Sequence, residues 1–255
     1  MKRSKIFIKQ LLVIVIIFFI WQLICTIGIF NTYVLPTPLK VFNTFTKMLI
    51  SGEIILDIYI SFKRVLIGYF ISFILAFFIG VISFLKKSLS QYYEILIQLF
   101  RNVPPISMMP LLILWYGIGE TTKIIIIILA SFFPMYLNIL KGFKECDKKL
   151  LEVGDIFGYS KYDKFIKIIL PSAVSDILIG MRIGLGYSWR AIIGAEMIAA
   201  STGIGHMILF AQQLSRTDKV IIGIIVIGLV GYLCDIFFAF IINKFLKGGN
   251  KSVWN

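Results

Sequence analysis

RVLIGYFISFILAFFIGVISFLKK, from Arg64 to Lys87, carries no charge between Val65 and Leu85 and is bounded by cations at both ends. Wound as a helix at about 1.5 Å per residue, Val65 to Leu85 covers about 31 Å, the thickness of a bilayer's hydrocarbon core. The rest of the chain has the same character. Its 255 residues are 59% hydrophobic and 15% charged, with a mean hydropathy of +0.93, too little polar surface to coat a soluble globule. Six apolar segments of this kind stand out: Phe7 to Phe30, Val65 to Leu85, Val103 to Ile118, Ile124 to Leu140, Ile177 to Ala199 and Val220 to Phe245. The third and fourth are short or interrupted, so the count is six or five. The fold class is an all-α membrane protein, a polytopic bundle of about six transmembrane helices in a single domain, residues 1–255. Its N-terminal helix is 7–30 and its core about 58–245.

The first apolar stretch follows Lys2, Arg3, Lys5 and Lys9, is too long for the apolar region of a signal peptide, and lacks a small-residue cleavage site before Pro36. We read it as a retained span. With the N-terminus inside, the interior loops hold Lys86, Lys87, Arg101, Lys141, Lys144, Lys148, Lys149, Lys161, Lys164, Lys167, Lys244, Lys247 and Lys251. The exterior then holds only Lys40, Lys47, Lys63, Arg64, Lys123, Arg216 and Lys219. This asymmetry places both termini and the loop around residues 143–172 in the cytoplasm. The net charge of +13 is spread over membrane-flanking loops and does not cluster with stacking aromatics, so anionic lipid is the expected partner and nucleic acid is not.

The 143–172 loop is a polar island. Lys144 to Phe157 suits a helix, and Gly158 stands where a left-handed stop costs least. Ser160 followed by Asp163 makes a capping-box pattern for a second helix, whose apolar positions Tyr162, Phe165, Ile166 and Ile169 repeat at helical spacing. Pro171 is expected to end it. Glu152, Gly158, Ile168, Leu170 and Pro171 fit the pattern E-A-A-x3-G-x9-I-x-L-P everywhere except its two alanines, replaced here by Val153 and Gly154. At ordinary residue abundances five such positions coincide roughly once in a hundred thousand to a few million starting points.

That pattern resembles the cytoplasmic loop of bacterial binding-protein-dependent ABC importer permeases. Further segments are similar to the nitrate, sulfonate and taurine group of those permeases: YVLPTP at 33–38, RVLIGY at 64–69, RNVPPISMMPLLILWYGIGETTKI at 101–124 and GLGYSWRAIIGAEMIAASTGIGHMI at 184–208. The resemblance implies a type I ABC importer permease in a bacterial cell membrane. It also implies that Glu152, Val153, Gly154, Gly158, Ile168, Leu170 and Pro171 dock an ATP-binding subunit. The other implied partners are an extracytoplasmic solute-binding protein and a second permease copy, read as a homodimer. ATP is then used by the partner subunit. The chain itself shows no P-loop, no zinc-ligand spacing and one histidine, so no cofactor, metal or catalytic centre is expected in it. Cys25, Cys146 and Cys234 make no disulfide framework.

Within the spans, Pro104, Pro105 and Pro110 each delete a backbone donor, so the third span is expected to be kinked or broken and to line the pathway. Gly180, Gly184 and Ser188, continued by Ala191, Ala195 and Ala199, form a small-residue seam, either within one chain or between two copies. Arg182, Arg190 and Glu196 cannot face lipid unpaired. We read Arg190 as half of an internal ion pair, with Glu196 of a second copy or with Asp235; the alternative is a guanidinium offered to an anionic substrate. His206 is expected in a wetted loop near the outer side, and Gln212 and Gln213 at a vestibule or on neighbouring backbone. The resulting reading is import of a small anionic solute (sulfonate, taurine or nitrate) by alternating access. The alternatives are a vitamin precursor or other uncharged solute on the same machinery, an ATP-independent secondary transporter, and, weakest, an intramembrane enzyme.

Overall fold

Val65–Leu85 proves to be the C-terminal part of a longer helix. The computed structural model describes residues 2–28 and 30–246. In chain order its helices are α1 Lys2–Ile27, α2 Pro38–Ile50, α3 Glu53–Leu85, α4 Lys87–Phe100, α5 Met109–Tyr116, α6 Glu120–Lys144, α7 Lys148–Ile156, α8 Lys161–Lys164, α9 Leu170–Ala199, α10 Ile204–Gln213 and α11 Thr217–Leu246. No strand occurs among the described residues. Lys247 and Lys251, expected as inner anchors, lie outside them.

Four helical stretches are long and apolar enough to cross a membrane: Glu53–Leu85, Glu120–Lys144, Lys161–Ala199 and Thr217–Lys244. A fifth crossing exists only if Gln91–Phe100 and Pro105–Tyr116, which meet at 90°, count as one. α1 adds a shorter apolar stretch, Leu12–Ile27, most of whose large side chains are exposed, as suits a lipid-facing helix, while Trp21 is half-buried and donates to the Pro36 carbonyl at 3.1 Å. The segment Val103–Ile118 is therefore not a straight span. Pro105 opens a 3-10 turn, Pro105–Met108, Pro110 sits in the first turn of α5, and Gly117 at φ +75° ends it. Three missing amide donors and a left-handed stop leave only about 18 Å of helix there, short of a bilayer.

Two other expectations change. α3 begins twelve residues before Val65, because Arg64 is buried 5% exposed against acids of other helices and does not sit in an outer loop. Lys123 is likewise buried at 3% exposed within α6. Pro171, read as a helix stop, lies inside a continuous stretch, Lys161–Ala199. The backbone from Phe165 to Ile169 winds as a π turn, and this wider turn just before Pro171 makes room for the ring and dispenses with its absent donor.

The core forms where α6 packs against both α3 and α9. Close approach is set by small residues. A β-carbon on Gly180 would lie 2.8 Å from Cβ of Asn138, and one on Gly184 would enter the space of the Met135 side chain. Ser188, Ala195 and Ala199 are buried too, so the small-residue rhythm of α9 is a seam within the chain. At the end of the bundle that carries α7 and α8, Phe84 of α3, Phe143 of α6 and Phe165 form an aromatic cluster with ring centroids 5.4 to 6.1 Å apart. This cluster anchors α7 and α8 to the membrane core.

Candidate functional site

The polar island folds as a tight helical hairpin. Asp147 caps α7 by accepting from the Lys149 amide at 2.9 Å. α7 ends at Gly158, φ +68°, where the Tyr159 amide donates back to the Gly154 carbonyl at 2.9 Å, a left-handed stop that suits glycine. Ser160 caps the next helix by accepting from the Asp163 amide at 3.1 Å, and its hydroxyl donates to the Asp163 carboxylate. Lys164 pairs with Asp155 across the turn, and Lys167 with Asp163 at 2.8 Å. These lysines therefore bind within the hairpin.

Gly154 is buried under this turn. A β-carbon there would lie 2.8 Å from Cδ1 of Ile168, so glycine lets α7 rest directly on the π turn. Glu152 and Val153 are exposed beside it, as is Pro171, while Ile168 and Leu170 are half-buried. The hairpin also presents Ile156 at 83%, Phe157 at 71% and Tyr162 at 75% exposure, next to a groove of about 510 Å³ bounded by Leu150, Val153, Phe157 and Pro171. Apolar groups held out from an otherwise charged surface mark a contact face. Ile156 and Phe157 were not singled out from the sequence; the signal was two bulky apolar residues against the helix-stop glycine.

A second polar feature lies between α9 and α11. Arg182 donates through Nε and Nη2 to both carboxylate oxygens of Asp235, each at 2.6 Å. Arg190 is exposed and has no acid within ion-pair distance among the described residues; its guanidinium lies 5.5 Å from the centre of the Tyr187 ring. Pairing of Arg190 with Asp235 in the same chain is thereby corrected, since Asp235 is held by Arg182. The groove here measures about 370 Å³ and includes Gly186 and Asn243.

The third feature is a charge cluster, buried except for the exposed Glu120, whose members lie far apart in the sequence. Arg64 donates to Glu120 through Nε and Nη2, both at 2.7 Å, to Glu196 through Nη1 at 2.7 Å, and to the Thr202 carbonyl and hydroxyl at 2.8 and 3.0 Å. All five guanidinium donors are used. Lys123 joins Glu120 at 2.6 Å, making two cations against two anions. Glu196, wholly buried, also accepts from the Ser61 hydroxyl at 2.8 Å and the Gly205 amide at 3.0 Å. It is thus spoken for inside its own chain and is not placed to meet Arg190 of another copy. Asp57 accepts from the Gly203 amide at 3.0 Å, so the loop entering α10 is tied to α3. His206 sits in the first turn of α10, stacked on Phe210 at 5.9 Å, and not in a loop; Gln212 and Gln213 are exposed at that helix's end. No group of three or more His, Cys, Asp or Glu side chains able to hold a metal lies among the described residues.

With this architecture in view, comparison with known proteins is specific. Residues 68–247 match the family described as binding-protein-dependent transport system inner membrane component. A Bacillus subtilis (strain 168) protein named as an aliphatic sulfonates transport permease, SsuC, is 37% identical over 207 residues, 81% of this chain and 75% of that one. The Escherichia coli (strain K12) taurine transport system permease protein TauC is 35% identical over 176 residues, 69% of this chain and 64% of that one. In three dimensions the chain is similar to an inward-facing structure of the MetNI methionine ABC transporter, with a TM-score of 0.66 at 15% identity, over 76% of this chain and 97% of that one. On a family match spanning most of its length and on relatives above 30% identity, the chain belongs to the inner membrane components of binding-protein-dependent transport systems.

Proposed function

We propose that this permease imports a small anionic solute of the sulfonate, taurine or nitrate class, driven by ATP-binding subunits seated on the hairpin 148–171. The observation that carries the coupling is the hairpin itself: Glu152, Ile156, Phe157 and Tyr162 are held outward on a rigid turn whose base is packed into the core. The names of the relatives, sulfonate and taurine permeases, support the substrate class.

The mechanism follows from how the hairpin is connected. Lys161–Ala199 is one helical stretch of 39 residues, about 58 Å long, without a break at Pro171. A push on the hairpin is delivered along this rod to Arg182, Arg190 and Glu196. At its outer end the Arg64 cluster locks the rod to α3 and α6, so these helices move together between inward-open and outward-open states. The bent segment through Pro104, Pro105 and Pro110 lines the pathway beside them. ATP shifts this equilibrium only through contacts that differ between the two states, which is why the hairpin keeps hold of the motor throughout. ATP binds to the partner subunit, and this chain holds no cofactor and catalyses no reaction. A solute-binding protein delivers the solute from outside, a second identical permease completes the pathway, and both termini lie in the cytoplasm.

The test is transport by the complex purified with its ATP-binding subunit and binding protein and placed in proteoliposomes. Uptake of ethanesulfonate, taurine or nitrate is expected only with enclosed hydrolysable ATP. Uptake driven by an ion gradient without ATP would replace this reading with a secondary transporter.

A further inference from the structure

We propose that Arg182, Gly186 and Arg190, a single row along α9, form an oxyanion-binding site facing α11 through which the transported anion passes. The inference rests on the proposed import of an anionic solute and adds where in the chain that anion is held.

The three residues are spaced four apart, so they follow one stripe of the helix, with the two arginines about 12 Å apart along the axis. Gly186 leaves the stripe open between them. A β-carbon there would lie 3.7 Å from Nη2 of Arg190, in ordinary contact, so the guanidinium folds back over the glycine. Across the groove stand Asp235 and Asn243 of α11.

The charges do not balance. Arg182 is matched by Asp235 in a two-point pair, whereas Arg190 meets only the Tyr187 ring among the described residues. Among the described residues the groove holds two guanidiniums and one carboxylate, an excess of one positive charge. Asp235 is half exposed and fixes the Arg182 fork, while Arg190 keeps its own planar fork open to a ligand. Lipid does not cover such a surface within a span, so water, solute or the facing permease copy does. At about 370 Å³ the groove has room for about a dozen waters of ~30 Å³ each, or one small organic anion with part of its hydration. A planar guanidinium with two parallel donors suits the oxygens of a sulfonate or nitrate. A single uncompensated charge also suits passage, because a site that conducts must release what it binds.

The experiment compares wild type, Arg190→Gln and Arg190→Lys, each purified with its ATP-binding subunit and binding protein and reconstituted, with labelled ethanesulfonate, taurine and nitrate as probes. Complex yield and ATP hydrolysis are measured beside uptake. The expected result is that Arg190→Gln assembles and hydrolyses ATP as wild type while uptake falls about tenfold or more, and that Arg190→Lys, keeping the charge, recovers part of it. Arg190→Gln uptake within about twofold of wild type would overturn the site while leaving anion import standing. Loss of assembly in Arg190→Gln would also overturn it, by making Arg190 half of a pair with an acid on another subunit. A wild-type complex that carries none of the three anions would overturn the substrate reading and the site together.

Discussion

Glu196 of α9 and Arg64 of α3 meet at 2.7 Å in the core, and the same guanidinium grips Glu120 of α6 and the Thr202 backbone. Removing one partner of such a pair leaves the other buried without compensation, a loss of about 3–5 kcal/mol. Arg64→Met is therefore expected to lower the thermal midpoint of the detergent-solubilised permease strongly. Glu196→Gln should cost less, because Arg64 keeps Glu120. The double variant Arg64→Met with Glu196→Gln should lie above Arg64→Met alone. Additive losses in the double variant would mean that the two residues are not energetically coupled.

Gly154 offers a finer test, since its β-carbon would press only on the flexible end of Ile168. Gly154→Ala should be tolerated and, through better helix propensity, stabilise α7 by up to about 1 kcal/mol. Gly154→Leu should lift α7 from the π turn. Hydrogen exchange of the α7 amides separates the two: slower or unchanged for alanine, faster for leucine. Equal protection in both would show that α7 does not rest on Ile168.

Gly158 carries the left-handed turn at φ +68°, with open space where a β-carbon would go. The cost of Gly158→Val is therefore backbone strain alone, about 1–2 kcal/mol. It should shift or fray the hairpin and weaken co-purification of the ATP-binding subunit, while insertion into the membrane is unaffected. Full retention of that subunit would remove the turn from the coupling path.

The orientation predicts that position 156 faces the cytoplasm. Cys146 is buried at 9% exposure and makes a poor reporter, whereas Ile156 is 83% exposed. In a background lacking the native cysteines and expressed without the ATP-binding subunit, which would cover this position, Ile156→Cys should react with a membrane-impermeant maleimide only after cells are permeabilised. Labelling in intact cells would invert the topology.

What was legible in the sequence was what local chemistry decides. The uncharged run Val65–Leu85 marked a span, and Ser160, Asp163 and Gly158 marked caps and a stop that depend on neighbours at most a few residues away. Arg64 and Lys123 read as outer-loop cations because they flank apolar windows. The acids that bury Arg64, Glu120 and Glu196, lie 56 and 132 residues further along, and no local pattern links them. Pro171 misled for a related reason: a proline stops a regular helix, but the preceding turn, Phe165–Ile169, is wider and accommodates it, with Phe165 packed on Phe84 and Phe143 from other helices. The charges of α9 were visible individually, and their partners were not.

Coupling of this chain to its motor through the hairpin tip is put to the sharpest test at Ile156 and Phe157. Neither is among the buried residues of this chain, so replacing both with aspartate should spare folding and membrane insertion. The measurement is the amount of ATP-binding subunit retained by the purified Ile156→Asp, Phe157→Asp permease, with ATP-driven uptake recorded on the same preparation. The expected result is an inserted, monodisperse permease that has lost the subunit and no longer transports. Retention of the subunit with uptake equal to wild type would contradict it.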